Sequence, residues 1–359
     1  MLSEKDFIPS GYTHTAASGS FTWSAPSNIA LVKYWGKKEN QIPANPSVSF
    51  TLNNCKTVTK LSYKKKNDKG FSFELLFEGQ PKESFRPKIE KFFERVAVYL
   101  PFLTDYHFII DTKNTFPHSS GIASSASGMA ALAVNLMSLE RLLNPDMTED
   151  YFYNKASFLA RLGSGSACRS IQGNIVTWGE HNEIKGSSDL FGVPFSGEVH
   201  EIFKNYQDTI LLVDKGEKQV SSTVGHNLMH NHPFAQQRFK QAHSNLSQIK
   251  AALQSGNIDS FIEIVESEAL TLHAMMMTSM PYFILMKPNT LEIINRIWQF
   301  RNATGLPVCF TLDAGANVHM LYPENIRLKI LEFIKNELVA LCQNSQYICD
   351  ETGTGAIQY

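Results

Sequence analysis

Four short segments of this 359-residue chain carry side chains suited to binding anions or moving a proton. The first is the loop PHSSGIASSASG at 117–128, which leads into a helical pattern of apolar residues. Backbone N–H groups and small hydroxyls at a helix N-terminus form a favourable site for a polyphosphate. The loop contains neither a Walker A motif nor a GxGxxG fingerprint. A serine-rich cap on a tightly packed helix is the alternative interpretation.

The second segment, RLGSGSACRS at 161–170, places Arg169 after a helix that we expect to end at Gly163. An arginine can hold a carboxylate or a phosphate through two parallel hydrogen bonds. The hydroxyls of Ser164 and Ser166 can fill the remaining acceptor positions of such a ligand. The alternative is that Arg169 forms a structural ion pair.

The third segment, NIALVKYWGKK at 28–38, contains Lys33 and Lys37, which would share a face on a helical turn because they are four residues apart. The apolar neighbours of Lys33 predict that its stem is partly buried, and a buried lysine normally has a charged partner. Two exposed lysines beside a pair of core aromatic residues are the alternative.

The fourth segment, TLDAGANVHM at 311–320, places Asp313 after an apolar strand and before Ala-Gly. A carboxylate at a strand end beside small residues suits a cleft in which ligand and backbone approach each other closely. An Asx turn would explain the same local pattern.

Composition argues against several other functions. The chain has 33 basic and 34 acidic residues, which gives no general electrostatic case for nucleic acid or an anionic membrane. Its five cysteines are scattered without CxxC spacing, so the sequence predicts neither a disulfide framework nor a zinc site. His226, His230 and His232 cluster without a metal-ligand spacing such as HExxH.

The surrounding pattern predicts the elements that position these segments. Strand-like runs on either side of a Lys/Asn/Asp/Gly turn predict a hairpin over 57–77. Apolar residues at helical spacing predict helices at 86–100, 129–143, 149–162, two between 233 and 273, 290–303 and 325–343. Short apolar runs predict further strands at 106–112, 209–214 and 307–312. This order predicts an α+β fold with mixed sheets.

Changes in composition predict the domain organisation. We expect a polar, loosely attached arm at 1–22, an N-terminal domain at 23–200 and a C-terminal domain at 201–359, because Gly, Ser and Pro interrupt the pattern between 181 and 200. The first twenty residues have no apolar core segment, so no secretory signal is predicted. No apolar run approaches the roughly 18 residues that a membrane helix needs. A cytoplasmic protein is expected.

Taken in order, APSNIALVKYWGK, PHSSGIASSASG, GSGSACRS and DAGANVH resemble the mevalonate diphosphate decarboxylase family of the GHMP kinase superfamily. The resemblance covers nearly the whole chain, and KYWGK and GSGSACRS are its most specific parts. It implies an N-terminal domain like domain 2 of ribosomal protein S5, a C-terminal α+β domain, and an active site in the cleft between them. It also implies that ATP phosphorylates the 3-hydroxyl of mevalonate 5-diphosphate, after which phosphate and CO2 leave to give isopentenyl diphosphate.

The resemblance further implies a role for each matching residue. Asp313 would be the catalytic carboxylate facing the 3-hydroxyl, Lys33 would neutralise charge beside it, and Arg169 would grip the substrate carboxylate. Further substrate contacts would come from Asn28, Tyr34, Lys37, Ser164, Ser166 and Ser222. ATP would bind at Ser119, Ser120, Gly121, Ser124 and Ser125. Magnesium would be held mainly by the ATP phosphates, with Ser125 as a candidate ligand, and a homodimer is expected because family members commonly form one.

Two segments depart from the family pattern. Pro117-His118-Ser119-Ser120-Gly121 stands where relatives commonly have Pro-Thr-Ala or Pro-Thr-Ser before the glycine. In VSSTVGHNLMHNH at 220–232, Ser222 matches, but His226 replaces the usual methionine and the threonine pattern is lost. This loop helps relatives to hold the substrate diphosphate.

Three other functions therefore stay open alongside the diphosphate reaction. A phosphomevalonate decarboxylase would give isopentenyl phosphate, and a mevalonate 3-kinase would stop before decarboxylation. A catalytically inactive relative would act only as a binding protein. The presence of Asp313, Lys33 and Arg169 together argues against the kinase and the inactive relative.

Overall fold

The computed structural model describes residues 2–117, 122–214, 216 and 222–359, the side chains of 222 and 223 excepted. Its helices are α1 (Arg86–Val96), α2 (Ser124–Leu143), α3 (Glu149–Gly163), α4 (Ser222–Asn227), α5 (Ala235–Ser255), α6 (Ile258–Met277), α7 (Pro288–Thr304) and α8 (Arg327–Phe333). Its strands are β1 (Ser18–Val32), β2 (Ser47–Lys65), β3 (Ser72–Phe77), β4 (Gln80–Pro81), β5 (Tyr106–Asn114), β6 (Ile175–Trp178), β7 (Val193–Pro194), β8 (Gln207–Leu211), β9 (Cys309–Thr311), β10 (Val318–Tyr322), β11 (Tyr347–Glu351) and β12 (Ile357–Gln358). Helices and strands are mixed along the chain, so the predicted α+β class is confirmed.

The larger sheet has the order β12-β1-β2-β5-β3-β4, and β6 pairs with the first four residues of β2, Ser47 to Phe50. The predicted hairpin over 57–77 is wrong, because β5 lies between β2 and β3 and pairs in parallel with β3. The reason is a row of apolar side chains: Leu61 lies opposite Ile110, which lies opposite Leu75. All three are at most 4% exposed, so inserting β5 completes a buried face that the two flanking strands alone would leave open.

The smaller sheet has the order β11-β8-β10-β9, and all of its neighbouring strands are antiparallel. The sequence patterns predicted β8 and β9 but missed β10 and β11, which lie on either side of β8. The helix predicted at 325–343 is shorter than expected, because α8 ends at Phe333 and a π turn (Ile334–Leu338) follows. Helices α5 and α6 pack against each other beside this sheet.

The first residues do not form the loosely attached arm that composition predicted at 1–22. Phe7 is fully buried and stacks on Phe158 of α3, with 4.6 Å between ring centroids. The Tyr12 hydroxyl donates a hydrogen bond to Glu140 over 3.4 Å, and β1 already begins at Ser18. Burial of the Phe7 side chain stabilises the attachment of this segment, although most of its residues are polar.

Helices α2 and α3 are joined by a buried ion pair. Lys155 Nζ lies 2.5 Å from Glu140 Oε1, and both side chains are at most 2% exposed. Burial raises the pKa of Glu140 and lowers the pKa of Lys155, and each partner opposes the shift of the other. The pair fixes how the two helices that border the candidate site lie against each other.

A segment near the C-terminus, residues 350–358, returns to the larger sheet and is called the return segment below. The Asp350 carboxylate accepts hydrogen bonds from the backbone N–H groups of Asn53, Asn54 and Cys55 at 2.7–2.9 Å. Strand β12 then pairs with β1 at Trp23 and Ser24. Within the part of the chain that the structure describes, no helix is long and apolar enough to cross a membrane.

Candidate active site

Lys33 and Asp313 come from distant parts of the chain and meet as an ion pair. Lys33 directly follows the end of β1, and Asp313 lies two residues after β9. Lys33 Nζ is 3.1 Å from Asp313 Oδ1, and the two side chains are 2% and 29% exposed. The ammonium group is therefore buried, whereas the carboxylate can reach a bound molecule. Burial lowers the pKa of Lys33, and the Asp313 carboxylate opposes that shift.

The helical turn considered for Lys33 and Lys37 is absent, because β1 ends at Val32, residues 33–36 have no regular secondary structure and Lys37 forms an isolated β-bridge with Pro43. The pairing of β1 with β2 shifts register between Pro26 and Asn28 and again between Ala30 and Val32. Such irregularities re-aim side chains and are common next to functional sites. Here they occur on the stretch that carries Asn28 and leads to Lys33.

Arg169 lies on a 3-10 turn (Gly165–Ser170) that follows α3, and it is 3% exposed. Its Nη1 donates to Ser47 Oγ over 2.5 Å, and its Nε donates to Asn28 Oδ1 over 3.4 Å. The Asn28 amide in turn donates to Ser170 Oγ at 2.8 Å and to the Ser166 carbonyl at 3.1 Å. Among the described residues Arg169 forms no ion pair with a carboxylate, so its charge is suited to an anionic ligand.

Tyr34, Trp35 and His226 form an aromatic group beside these cations. The His226 ring lies 4.2 Å from the Tyr34 ring and 4.6 Å from the Trp35 ring, between centroids. A Cβ added at Gly225 would lie 2.5 Å from the Trp35 ring, so only glycine allows α4 to pack this closely. The histidine that departs from the family pattern is therefore built into the wall next to Tyr34.

The first turn of α2 brings the predicted phosphate loop next to the arginine turn. Ser124 and Ser125 begin α2, and the Ser125 hydroxyl accepts a hydrogen bond from Lys88 of α1. It also lies 3.4 Å from the hydroxyl of Ser164, at the end of α3. Ser119, Ser120 and Gly121 and the side chain of Ser222 lie outside the described residues. The structure thus unites the described members of the two predicted binding segments.

A cavity of about 160 Å³ opens beside this turn. Its walls are mainly apolar, with small polar groups among them, which suits a flat base that has a few hydrogen-bonding atoms. Its lining includes Thr57, Thr59, Leu75, Phe77, Phe85, Lys88, Ile110, Thr112, Asn114, Ser124, Ser125, Gly128, Met129 and Leu132.

Three cations on α1 were missed at the level of sequence. Lys88, Lys91 and Arg95 are spaced three and four residues apart, which places them on one helix face. Burial is the main cause of a lowered pKa at Lys37, and the nearby charges of Arg95 and Lys91 lower it further. Lys37 and this helix face therefore form one positively charged region, which the spacing of the three residues could have revealed.

Comparison with known proteins gives a consistent result over both halves of the chain. Residues 25–189 match the family described as diphosphomevalonate decarboxylase-like N-terminal domain, and residues 209–356 match the mevalonate 5-diphosphate decarboxylase C-terminal domain. A diphosphomevalonate decarboxylase from Ganoderma lucidum is 31% identical over 336 residues, covering 87% of this chain and 80% of the relative.

Solved structures agree. The crystal structure of mevalonate diphosphate decarboxylase from Staphylococcus aureus matches with a TM-score of 0.81 and 30% identity, covering 95% of this chain and 98% of that one. A structure described as MDDEF in complex with MVAPP, AMPPCP and magnesium matches with a TM-score of 0.80 and 28% identity, covering 96% and 99% of the two chains.

The two sheets, their helices and the site that they enclose define a GHMP kinase fold. Within that superfamily the chain belongs to the diphosphomevalonate decarboxylase family, since a relative above 30% identity covers most of both chains. The family resemblance seen in the sequence motifs is therefore confirmed.

Proposed function

We propose that this chain is an ATP-dependent decarboxylase that converts mevalonate 5-diphosphate into isopentenyl diphosphate, ADP, phosphate and CO2. The observation that carries the proposal is the ion pair of Lys33 with the partly exposed carboxylate of Asp313. Arg169 lies close enough to this pair to influence the pKa of Lys33. The related MDDEF structure, which holds MVAPP together with AMPPCP, supports the same pair of ligands for this site.

The first chemical step is transfer of the γ-phosphoryl group of ATP to the 3-hydroxyl of the substrate. Asp313 accepts a hydrogen bond from that hydroxyl and takes its proton as the O–P bond forms. Lys33, held at 3.1 Å from Asp313, supplies a positive charge next to the transferring group. Phosphoryl transfer depends mainly on such positioning and charge stabilisation.

The second step breaks two bonds of the phosphorylated intermediate. The C3–O bond breaks with loss of phosphate, and the electron pair of the C1–C2 bond forms the new double bond as CO2 leaves. Arg169 holds the C1 carboxylate with help from Asn28, which fixes the direction in which C1 departs. Tyr34, Lys37, Ser164 and Ser166 bind the phosphate tail, and Lys91 and Arg95 add positive charge to that region.

ATP binds with its phosphates at the first turn of α2 and its base in the adjoining cavity. The N-terminus of a 20-residue helix favours negative charge, and the hydroxyls of Ser124 and Ser125 add polar contacts. The Ser125 hydroxyl would offer magnesium the oxygen ligand that this ion prefers, and the bound ion would neutralise part of the charge of the ATP phosphates.

One assay distinguishes the proposed reaction from its neighbours. ADP and CO2 are measured side by side with mevalonate, its 5-phosphate and its 5-diphosphate as substrates. The proposal predicts equal release of ADP and CO2 with the 5-diphosphate. Faster turnover of the 5-phosphate than of the 5-diphosphate would identify a phosphomevalonate decarboxylase. Release of ADP without CO2 would identify a 3-kinase. If none of the three substrates is turned over, the protein is an inactive relative.

We also propose that the protein is a cytoplasmic homodimer. The dimer rests on the family resemblance, and the location rests on the five scattered cysteines, which predict no disulfide framework. Light scattering coupled to size-exclusion chromatography tests the dimer, because a mass near 40.3 kDa would show a monomer.

A further inference from the structure

The backbone N–H and carbonyl of Lys33 are held by side chains from three other parts of the chain. Its N–H donates to Glu268 Oε2 over 2.8 Å, and its carbonyl accepts from Arg238 Nη2 at 3.1 Å and from Asn45 Nδ2 at 2.9 Å. The pairing of β1 with β2 ends one residue earlier, so these backbone groups have no strand partner. Buried backbone groups need hydrogen bonds, and here side chains provide them.

Glu268 of α6 and Arg238 of α5 form a bidentate ion pair behind this peptide. Their two hydrogen bonds measure 2.9 and 2.5 Å, and both side chains are completely buried. Asn245 donates a further hydrogen bond to Glu268 over 2.6 Å. A buried ion pair is often no more stabilising than apolar residues of the same volume, because removing both charges from water is costly. Stability alone therefore does not explain why this pair lies behind Lys33.

Helix α6 also holds the backbone of Asp313. Nε2 of His273 lies 3.2 Å from the Asp313 carbonyl oxygen. A carbonyl only accepts, so Nε2 carries the proton and donates it. His273 is 1% exposed, and burial is the main reason that its pKa falls to about 4, so the ring is neutral near pH 7. One helix thus contacts the main chain of both members of the Lys33–Asp313 pair.

We propose that Glu268, together with Arg238, and His273 are positioning residues that fix the distance between the Lys33 ammonium and the Asp313 carboxylate. This inference rests on the proposed function, in which those two groups act on the 3-hydroxyl. Glu268 and Arg238 hold Lys33 at its peptide group, and His273 holds Asp313 at its carbonyl. None of the three needs to touch the substrate. A misplacement of about 1 Å in such a pair can lower the rate about a hundredfold.

The same helix supplies a matched control. Glu266, two residues from Glu268, forms a second bidentate pair with Arg301 at 2.6 and 3.1 Å, and it accepts from Trp298 at 2.8 Å. This pair is also largely buried, but its described hydrogen bonds reach neither Lys33 nor Asp313. Glu268→Gln and Glu266→Gln therefore remove the same charge from the same helix, and only the first loosens the site.

Steady-state kinetics on the full chain, with ATP and mevalonate 5-diphosphate, test the proposal. Glu268→Gln is expected to lower kcat by about tenfold to a hundredfold with KM within about twofold, whereas Glu266→Gln keeps kcat within about twofold. Equal kcat values for the two variants would overturn the role of Glu268. Thermal unfolding measured in parallel separates loss of stability from loss of rate.

Two variants at His273 provide a test that does not depend on the buried ion pair. His273→Phe keeps a ring but removes the donor, whereas His273→Gln can place an amide N–H near the position of Nε2. We expect kcat to fall about tenfold in the phenylalanine variant and to recover to within about threefold in the glutamine variant. Equal kcat in both variants would contradict a positioning role for His273.

Hydrogen exchange separates failure of this inference from failure of the proposed function. The Lys33 amide is expected to exchange faster in Glu268→Gln than in wild type, and to remain unchanged in Glu266→Gln. Suppose that the wild-type protein turns over no mevalonate phosphate but this difference in exchange is present. The proposed function is then wrong, whereas the role of Glu268 in holding the Lys33 backbone is supported. If the Lys33 amide exchanges at the wild-type rate in Glu268→Gln, Glu268 does not hold the Lys33 backbone, and the inference is refuted.

Discussion

The backbone N–H of Gly36 donates a hydrogen bond to Nδ1 of His226 over 3.0 Å. An imidazole nitrogen that accepts carries no proton, so the ring is neutral and its proton lies on Nε2. Burial is the main cause that lowers the pKa of His226 to about 3, and the charges of Lys37 and Arg169 lower it further. A histidine in the place of the family's methionine therefore acts here as a neutral acceptor.

This arrangement predicts how stability depends on pH. The pKa of His226 is about 3 in the folded protein and about 6.5 when unfolded, so between these values the unfolded chain binds a proton that the folded chain does not. The contribution of His226 to the free energy of unfolding is therefore fully present above about pH 6.5. It falls on acidification by about 1.4 kcal/mol per pH unit. His226→Met should flatten the dependence between pH 6.5 and 4.5, as measured by denaturant unfolding at several pH values.

The surface residue His14 supplies the comparison for that experiment. His14→Met changes an exposed side chain and is expected to leave the slope as in wild type. A slope in His226→Met as steep as in wild type would show that His226 is not the group that titrates. His273 contributes in the same direction, since its pKa is lowered to about 4, so some slope should remain in His226→Met.

Asp313→Asn is expected to lower kcat by at least about a hundredfold, because the amide cannot take the proton of the 3-hydroxyl. ATP binding should persist, since the first turn of α2 and the cavity beside it are untouched. CO2 release and calorimetric binding of AMPPCP measure the two effects. Asp68→Asn, which changes a carboxylate in an exposed turn, is the control. Undiminished CO2 release from Asp313→Asn would remove Asp313 from the mechanism.

Arg169→Lys tests the substrate carboxylate site. Lysine keeps the charge but cannot donate to Ser47 and to a ligand in the planar geometry of a guanidinium group. We expect KM for mevalonate 5-diphosphate to rise about tenfold, while KM for ATP changes less than about twofold. Arg141→Lys, in the partly exposed pair with Glu149, should change neither constant. A larger effect on ATP than on the substrate would assign Arg169 to the nucleotide.

The buried Glu140–Lys155 pair predicts a large effect on the free energy of unfolding. Lys155→Met leaves Glu140 buried without its counter-charge and is expected to cost about 3–5 kcal/mol of unfolding free energy. The double variant Glu140→Leu/Lys155→Met should recover much of that loss. Denaturant unfolding checks both values, and removing the exposed pair of Lys204 with Glu201 should change the unfolding free energy far less than Lys155→Met does. If the double variant is no more stable than Lys155→Met, packing explains the loss.

The parts of the fold that could be predicted are those determined by local periodicity. Helices α3 and α7 begin and end close to the predicted positions, because apolar spacing and terminal glycines act within a few residues. Helix α2 ends at Leu143 as predicted but begins at Ser124 rather than at residue 129, because small polar residues without apolar spacing form its first turn. The position of β5 between β2 and β3 depends instead on which apolar rows meet in space, as in the row of Leu61, Ile110 and Leu75. Local patterns contain no information about such pairing. For the same reason β10 and β11, which are short strands next to β8, were missed.

The candidate site was predictable to a different extent. The apolar surroundings of Lys33 predicted a charged partner, but the partner lies 280 residues away, so only the family resemblance connected Lys33 with Asp313. Nothing local distinguished Asp313 from a turn residue. Glu268 was missed because a carboxylate within an apolar helix reveals its role only when its contacts with Arg238 and the Lys33 peptide are known.

The return segment has a consequence for the order of synthesis. Cys55 is synthesised 295 residues before its partner Asp350, and Trp23 and Ser24 are synthesised earlier still than their partners in β12. At roughly 5–20 residues per second, about 15 seconds to a minute pass before they can meet. Throughout that time Trp23 and Ser24 of β1 lack their partners in β12, so a nascent chain must protect this part of the strand edge from other chains.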